Sequence, residues 1–557
     1  MTTATLTAGH THQVENQPPV LENYNAYTSD IALQEAVRRE GAGWSEDTLK
    51  ECGQVLGSPD TIKLGFEANE NPPRFKSHDH LGHRIDEVEF HPAYHALHTL
   101  SRQYGLHAQP WNDPKPGAHV LRAAKGYMMN QVEASHCCPV TMTYASVPLL
   151  RDYPELANKW LPLVTNAHYD PRNLPVEQKR GATLGMAVTE KQGGSDVYQN
   201  STQARAIGQS GSGQAYELIG HKFFVSGCMS DAFTMLAKTD KGLSCFLVPR
   251  WKEDGTKNLF EIQRLKNKMG NIANATAEVE LRGAMGWLIG EEGKGLNTIL
   301  KAIAYNRFDC IHGSAAGMRQ AVVQAIHHCQ NRFAFGKKLS MQPLMQNVLA
   351  DLVIESEAAT AYAFRMARAL DEVENNKEVQ YFIRLGTALG KYWICKRVAG
   401  HAYEAMECIG GSGAMEGHMM PRLYREAPIN AIWEGSGNVQ ALDAVNSFFS
   451  NDKIKKAFMD ELALAKGKHP LFDEFLVKLS KELENTHQLE FRARSLTAHM
   501  ALALQASILL TSQNTLIANA FCLSRLSNQD HHLYGNLPTD IDCSAIIARA
   551  SIATKKD

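Results

Sequence analysis

Apolar residues recur at helical spacing from residue 30 to about 179, for example across 86–104 and 118–133, and this predicts an α-helical first domain. Proline-bearing breaks fall at Asn71-Pro72-Pro73, at 110–116 and at 171–175. From about Gly181 to Leu281 the pattern shortens to β-like runs at 183–189, 215–219, 223–226, 233–238, 245–248 and 276–281. A glycine-serine stretch at 208–213 separates two of them as a hairpin loop would, and the spacing predicts a small antiparallel barrel or sandwich. Helical periods return at about Gly293, over 295–311, 317–332, 345–371 and 379–406, as an antiparallel bundle requires. Beyond Phe449 they continue through 452–465, 471–484 and 489–510. The expected class is α+β, in four parts: a helical domain with a loose leading arm (1–180, the arm being 1–28), a β-domain (181–285), a helical bundle (286–450) and a helical extension (451–557).

Composition narrows the function classes. With 557 residues, 44% hydrophobic and 21% charged, the chain has ample core. A formal net charge of −2 gives no global pull towards nucleic acid or an anionic membrane. Eleven scattered cysteines with no C-x-x-C argue against a disulfide framework or a cysteine zinc site, so the expectation is reduced thiols in a cytoplasm. The polar first eighteen residues do not read as a secretory signal, and the apolar stretch 500–510 is too short to span a bilayer, so no membrane insertion is expected. His91, His95 and His98 lie at i, i+4 and i+7, with His78, His80 and His83 upstream; without an H-E-x-x-H they read as a helix-surface stripe rather than a metal site.

Four segments carry candidate chemistry. In the run 185–196, a strand ends at Thr189 and Gly193-Gly194 lets the backbone turn tightly; its N–H groups, with the Thr189 and Ser195 hydroxyls, suit phosphate or ring carbonyls. The segment Phe223-Phe224-Val225-Ser226-Gly227 can set an aromatic against a ring and a hydroxyl at its edge. In 331–338, Arg332 can pair with phosphate and Phe335 can cover a purine. In Trp433-Glu434-Gly435, a carboxylate between an aromatic and a glycine can serve as a general base in a dry site, where burial would raise its pKa. Each segment also has a plain structural reading: a loop, a buried strand, a solvated basic turn, a surface glutamate. There is no P-loop, and Gly410-Gly411-Ser412-Gly413 lacks the spacing and preceding strand of a Rossmann fingerprint.

In this order and at these distances, the segments resemble the acyl-CoA dehydrogenase family over roughly residues 30–448. Residues 264–280, 290–295 and 422–426 also fit its pattern. Within it, Arg38-Arg39-Glu40-Gly41-Ala42-Gly43-Trp44, Lys191-Gln192, residues 243–250, Pro428-Ile429-Asn430 and the long extension are similar to the adaptive-response, AidB-like subgroup. The resemblance implies one FAD per subunit and a homotetramer built as a dimer of dimers. It implies that Met186, Val188, Thr189, Ser195, Phe224 and Ser226 surround the flavin, and that Arg332, Phe335, Glu407, Gly410 and Gly411 hold the pyrophosphate and adenosine of a neighbouring subunit's FAD. Ser436 and Asn438 would contact the adenosine half, Trp433 and Arg307 would shape the substrate pocket, and Glu434 would be the catalytic base. Some members carry the base on an earlier helix; Tyr305-Asn306-Arg307, at that place here, offers no carboxylate.

The chemistry so implied is removal of an α-proton of an acyl-CoA by Glu434 and passage of the β-hydride to flavin N5, with the thioester oxygen held by a ribityl hydroxyl and the Glu434 N–H. An electron-transferring flavoprotein would then reoxidise the cofactor. Phe224 stands where many members have tryptophan, Glu407 where glutamine is usual, and Lys191-Gln192 where Pro-Gly or Pro-Ala is common; each suits the adaptive-response branch. Two other functions stay open: a flavoprotein that binds double-stranded DNA during alkylation stress with weak or vestigial dehydrogenation, and a protein that sequesters acyl-CoA or fatty acid. Residues 451–557 hold thirteen Lys or Arg against twelve Asp or Glu, so the extension is nearly neutral, which weakens the DNA reading.

Overall fold

The computed structural model describes residues 9, 11–527 and 533–553; residues 1–8 and 10 of the expected leading arm lie outside them. The rest of that arm is less loose than its composition suggests. Asn16 exchanges hydrogen bonds with Phe333 (2.7 and 2.8 Å), and Leu21, Tyr24 and Tyr27 are buried.

The first domain is built from Ile31–Arg39, Glu46–Leu56, Pro59–Glu70, Pro92–Gln103, Ala118–Val132, Cys137–Leu150 and Pro154–Val164. Ser58 caps the third helix through the Thr61 N–H, with Pro59 at its first position. The helical reading of 86–104 is corrected at its start. Arg84–Glu89 is a strand paired antiparallel with Arg74–His78, and the helix begins only at Pro92, capped by His91. A residue before proline is driven out of the α region, and the alternation that buries Asp86 and Val88 suits a strand. The histidine stripe is also corrected. His98 is buried and stacks on Tyr169 at 4.7 Å, because the helix face that carries it packs inward. No cluster of three or more metal-ligating side chains occurs among the described residues.

The β-domain is a seven-stranded sheet curled onto itself. Gln203–Ala206, Ala215–Ser226, Thr276–Ile289, Gly242–Pro249 and Ala232–Thr239 pair in turn, and the circuit closes between Gln203 and Lys238. Leu184–Ala187 and Phe260–Leu265 flank it. The pairing is not wholly antiparallel: Leu184–Ala187 runs parallel to Ala232–Met235, and Gln203 meets Lys238 in parallel. Parallel neighbours need a long crossover, and the turn and hairpin of residues 188–231 supply it.

In the bundle, the segments expected as two helices over 295–311 and 317–332 form one 37-residue helix, Gly295–Asn331. Gly313 and Gly317 each cost only about 1 kcal/mol against alanine, less than the packing of its buried faces returns. Pro343–Glu372, Lys377–Ile409 and Gly437–Ser450 complete the bundle, with Met419–Glu426 before the last. The extension comprises Asp452–Ala463, Pro470–Glu484, Leu489–Thr511, Thr515–Phe521 and Cys543–Ala550. It shares the bundle's core and is pinned by ion pairs: Arg525 to Asp351 and Glu355, Arg365 to Glu461, and Arg549 to Glu35 (2.8 Å) and Glu357 (2.9 Å). No helix among the described residues is long and apolar enough to cross a membrane.

Candidate active site

A cavity of about 680 Å³ opens where the first domain, the β-domain and the bundle meet. On the β side, the buried strand Leu184–Ala187 delivers Met186, Val188 and Thr189 to its wall. The loop that follows is held from beneath. The Glu190 carboxylate, 1% exposed, accepts from Lys222 Nζ (2.7 Å), Ser201 N (2.6 Å) and Gln192 Nε2 (2.8 Å). Burial alone would raise its pKa, but the Lys222 charge and these hydrogen bonds hold it at about 2, so it is an anchor rather than a base. A Cβ at Gly193 would lie 2.7 Å from the Asp196 carbonyl, so that position needs glycine. Gly194, Ser195, Phe224 and Ser226 also line the cavity; Phe224 is half exposed, and Ser226 Oγ bonds Thr276 Oγ1 at 3.1 Å.

The opposite wall carries Glu434, on the loop between the turn Ile429–Ala431 and the helix Gly437–Ser450. Glu434 itself adopts φ +56°, and Gly435 follows at +95°, where a Cβ would lie 2.5 Å from Gln440 Nε2. That backbone is fixed by three pegs. Lys391 Nζ, from the helix Lys377–Ile409, donates to the carbonyls of Asn430 (2.7 Å), Trp433 (2.7 Å) and Gly435 (2.9 Å). Arg307 Nε and Gln440 Nε2 donate to the Glu434 carbonyl at 3.0 and 3.1 Å. Asp443 anchors Arg307 in turn and is itself gripped by Arg384. The Trp433 indole donates to Asn430 Oδ1 at 2.9 Å.

The Glu434 carboxyl faces the cavity and accepts a 3.4 Å hydrogen bond from Asn306 Nδ2. Burial raises its pKa; the Arg307 and Lys391 cations and the Asn306 bond oppose that rise without cancelling it. The Glu434 N–H has no acceptor among the described residues, and Asn306 Oδ1 is a buried oxygen without a partner. A carboxylate of raised pKa and a free backbone donor thus meet at one wall of the cavity.

Of the residues singled out from sequence, Met186, Val188, Thr189, Ser195, Phe224, Ser226, Arg307, Trp433 and Glu434 line this one cavity. The others lie outside its wall. Arg332 donates to the Asn16 carbonyl. Phe335 tops the two-residue turn between Phe333–Ala334 and Lys337–Lys338, at φ +52° and 95% exposed. Glu407 is exposed in the last turn of its helix, and Gly410 and Gly411 have open space where side chains would stand. Ser436 precedes the helix Gly437–Ser450, and Asn438 Oδ1 accepts from Arg494 of the extension at 2.7 Å. Two cavity residues escaped the sequence reading. Glu426 is pushed up to about 7 by burial and the nearby Glu133 charge, and Lys268 is pushed down to about 8 by burial. Only their family-like segments, 264–280 and 422–426, pointed to them.

Residues 16–171 match the adaptive response protein AidB N-terminal domain, residues 185–284 the acyl-CoA dehydrogenase middle domain, and residues 293–447 the acyl-CoA dehydrogenase C-terminal domain. Over 490 residues the chain is 45% identical to the putative acyl-CoA dehydrogenase AidB of Escherichia coli K12, which covers 86% of this chain and 90% of that protein. Caenorhabditis elegans ACDH-11, in complex with C11-CoA, superposes with a TM-score of 0.81 at 25% identity over 98% of this chain and 93% of its own. A Bacillus anthracis acyl-CoA dehydrogenase complexed with FAD has the same fold, with a TM-score of 0.61 at 20% identity over 77% of this chain and 80% of that one.

Proposed function

The chain belongs to the acyl-CoA dehydrogenase family, with the AidB-type N-terminal domain, and we propose that it is an FAD-dependent oxidoreductase that desaturates an acyl-CoA between its α and β carbons. Homologues in the family bind FAD. The residues here fit that cofactor: a half-exposed Phe224 for a ring face, Thr189, Ser195 and Ser226 hydroxyls for its polar edge, and a buried Asn306 oxygen in want of a donor. Bound there, FAD would supply the hydride acceptor for the β-carbon.

The protein's own part is proton chemistry and positioning. Glu434 takes the α-proton, and its raised pKa makes it a stronger base than a solvated carboxylate. Its free N–H donates to the thioester oxygen where negative charge develops, an effect worth about 3–4 kcal/mol for one well-placed donor. Asn306 orients the carboxyl, while Lys391, Arg307 and Gln440 hold the loop rigid. The product is the α,β-unsaturated thioester. The observation that carries this reading is the Glu434 carboxyl on the same cavity wall system as the 186–195 loop.

Regeneration by an electron-transferring flavoprotein belongs to the proposal. So does a homotetramer in which Arg332, Phe335, Glu407, Gly410 and Gly411 meet a neighbouring subunit's FAD; the bare glycines and exposed Phe335 support it. The DNA-binding reading has less support. Arg525 and Arg549 of the extension are committed to buried carboxylates, and Lys456 pairs with Asp460. A salt-dependent gel shift with duplex DNA tests it.

The test of the enzymatic reading is anaerobic titration of the purified flavoprotein with acyl-CoAs. We expect bleaching of the flavin absorbance in the wild type and none in Glu434→Gln with FAD retained. Acyl-CoA that binds without bleaching would support sequestration instead, and bleaching retained in the variant would put the base elsewhere.

A further inference from the structure

We infer that the protein has a second small-molecule site, apart from the Glu434 cavity, and that it takes an uncharged flat ring bearing a hydroxyl or carbonyl oxygen. A cavity of about 890 Å³ opens between the hairpin of Arg74–His78 and Arg84–Glu89, the helix Pro92–Gln103 and the loop at 169–174. It shares no lining residue with the candidate active site. The two cavities meet at a common wall: Cys138 and Ser226 line the first, and their chain neighbours Pro139 and Gly227 line the second.

Three observations say what this second cavity holds. The first is its aromatic lining. Phe90 stacks on Tyr94 with ring centroids 4.3 Å apart, and Tyr169 stacks on His98 at 4.7 Å, so flat faces and ring edges are on offer to another ring. The second is a set of buried polar groups without partners. His98 is 2% exposed, and neither of its ring nitrogens makes a hydrogen bond to a described residue. The Tyr94 hydroxyl and Ser230 Oγ, both on buried residues, have no partner among the described residues either. These groups lie at one end of the cavity. Tyr94 and His98 rings are 5.1 Å apart, a Cβ at Gly227 would lie 3.3 Å from Ser230 Oγ and 3.0 Å from Pro139 Cβ, and Cys138 and Cys228, beside Pro139 and Gly227, act electrostatically on the Tyr94 hydroxyl. Nearer the mouth the polar groups are satisfied: Tyr169 Oη bonds His95 Nδ1 (3.0 Å), and Asn173 donates to Glu87 Oε1 (3.2 Å) and accepts from the Trp251 indole (3.0 Å). Buried polar groups in folded chains are hydrogen-bonded as a rule, so the unpartnered end points to a ligand that bonds them.

The third observation is charge. Lys179 is paired with Asp231 and Arg172 with Asp170, each at 2.6 Å, and Arg74 stands opposite Glu89 in the exposed hairpin. Burial, with His136, Arg102 and His95 near it, pushes the His98 pKa well below the ordinary imidazole range, so that ring is neutral and carries one N–H and one lone pair. A carboxylate or phosphate would lose its water there and gain no unpaired cation at the buried end. A phenol, naphthol or ring ketone meets neutral donors and acceptors between aromatic walls.

The test uses the purified full-length protein and equilibrium dialysis, with 2-naphthol as the probe and naphthalene and 2-naphthoate as controls. The wild type should bind 2-naphthol saturably, and at least about tenfold tighter than 2-naphthoate. Tyr94→Phe removes only the unpartnered oxygen, and His98→Phe removes both unpartnered nitrogens while keeping a ring against Tyr169. Either variant should weaken 2-naphthol about five- to tenfold, as loss of one hydrogen bond does, with naphthalene unchanged within about twofold. Tyr94→Phe should also melt no lower than the wild type, because its hydroxyl has no partner in the free protein to lose. A loss of 2-naphthol binding in one or both variants, with naphthalene unchanged, supports the site. No saturable binding of 2-naphthol, 2-naphthoate bound as tightly as 2-naphthol, wild-type affinity in both variants, or equal weakening of naphthalene would overturn it.

Discussion

Lys391 is the residue whose loss most sharply separates a positioned base from a merely present one. Its ammonium is 1% exposed and donates to three carbonyls of the Glu434 loop at 2.7, 2.7 and 2.9 Å. Lys391→Met keeps most of the volume and removes all three bonds. The Gly435 carbonyl keeps a 3.4 Å bond from Gln440 Nε2, but those of Asn430 and Trp433 are left without a donor at about 1–3 kcal/mol each, so the loop loses roughly 2–6 kcal/mol of local stability if it stays in place. That exceeds what a half-buried loop can absorb, and the loop shifts. A displacement of about 1 Å at a reacting group costs on the order of a hundredfold in rate. The same substitution removes one of the two cations that oppose the burial-driven rise in the Glu434 pKa. The variant's base therefore ionises at still higher pH. In stopped-flow anaerobic bleaching, the rate should fall about a hundredfold and its pH midpoint should move upward, with the circular dichroism of the folded chain retained. A folded Lys391→Met with the wild-type rate and midpoint would refute the argument that this ammonium places and tunes Glu434.

Other outcomes follow from the same geometry. Wild-type bleaching should be lost as pH falls through a midpoint above the ordinary carboxylate range, because burial, against Arg307 and Lys391, holds the Glu434 pKa up; a midpoint near 4 would contradict it. Gly435→Ala should cost about 1–3 kcal/mol of loop strain and abolish bleaching while FAD stays bound, since φ is +95° and the methyl would strike Gln440 Nε2; unchanged bleaching would count against the tight loop. Asp309→Asn should lower thermal stability by about 3–5 kcal/mol, because it breaks the bidentate pair with Arg122 (2.6 and 2.6 Å) and strands a buried guanidinium. Burial would raise the Asp309 pKa, but Arg122 and His312 hold it far below the unfolded value, so its stabilisation is present above about pH 4 and lost below; calorimetry in acid reads this, and a pH-independent difference between wild type and variant would oppose it.

The parts of this molecule legible in the sequence are those where local chemistry fixes local shape. Gly193-Gly194 after a strand and Trp433-Glu434-Gly435 before a helix both declared themselves, and Gly194 and Trp433-Glu434-Gly435 line the cavity. The long periodic helices were legible too, although Gly313 and Gly317 read as a break when packing carries the helix through them. What stayed hidden depends on partners distant in sequence. Nothing near Lys391 says that three carbonyls more than thirty residues away converge on it, and nothing near Glu190 says that Lys222 neutralises it. The hairpin of Arg74–His78 and Arg84–Glu89 was masked by a helical period running into it. His98 read as surface because its face packs against Tyr169, a residue seventy-one positions on. The seven candidate cofactor residues outside the cavity are legible as motifs, yet one chain does not bring them to the 186–195 loop.

The most direct measurement is exchange of the α-hydrogens of a saturated thioether analogue, a 3-thiaacyl-CoA, with deuterated water, since it reads proton removal at carbon apart from hydride transfer. Wild-type protein should catalyse the exchange, and Glu434→Gln should reduce it to the uncatalysed rate with the analogue still bound. Exchange at the wild-type rate in Glu434→Gln would contradict the assignment of this carboxylate as the base.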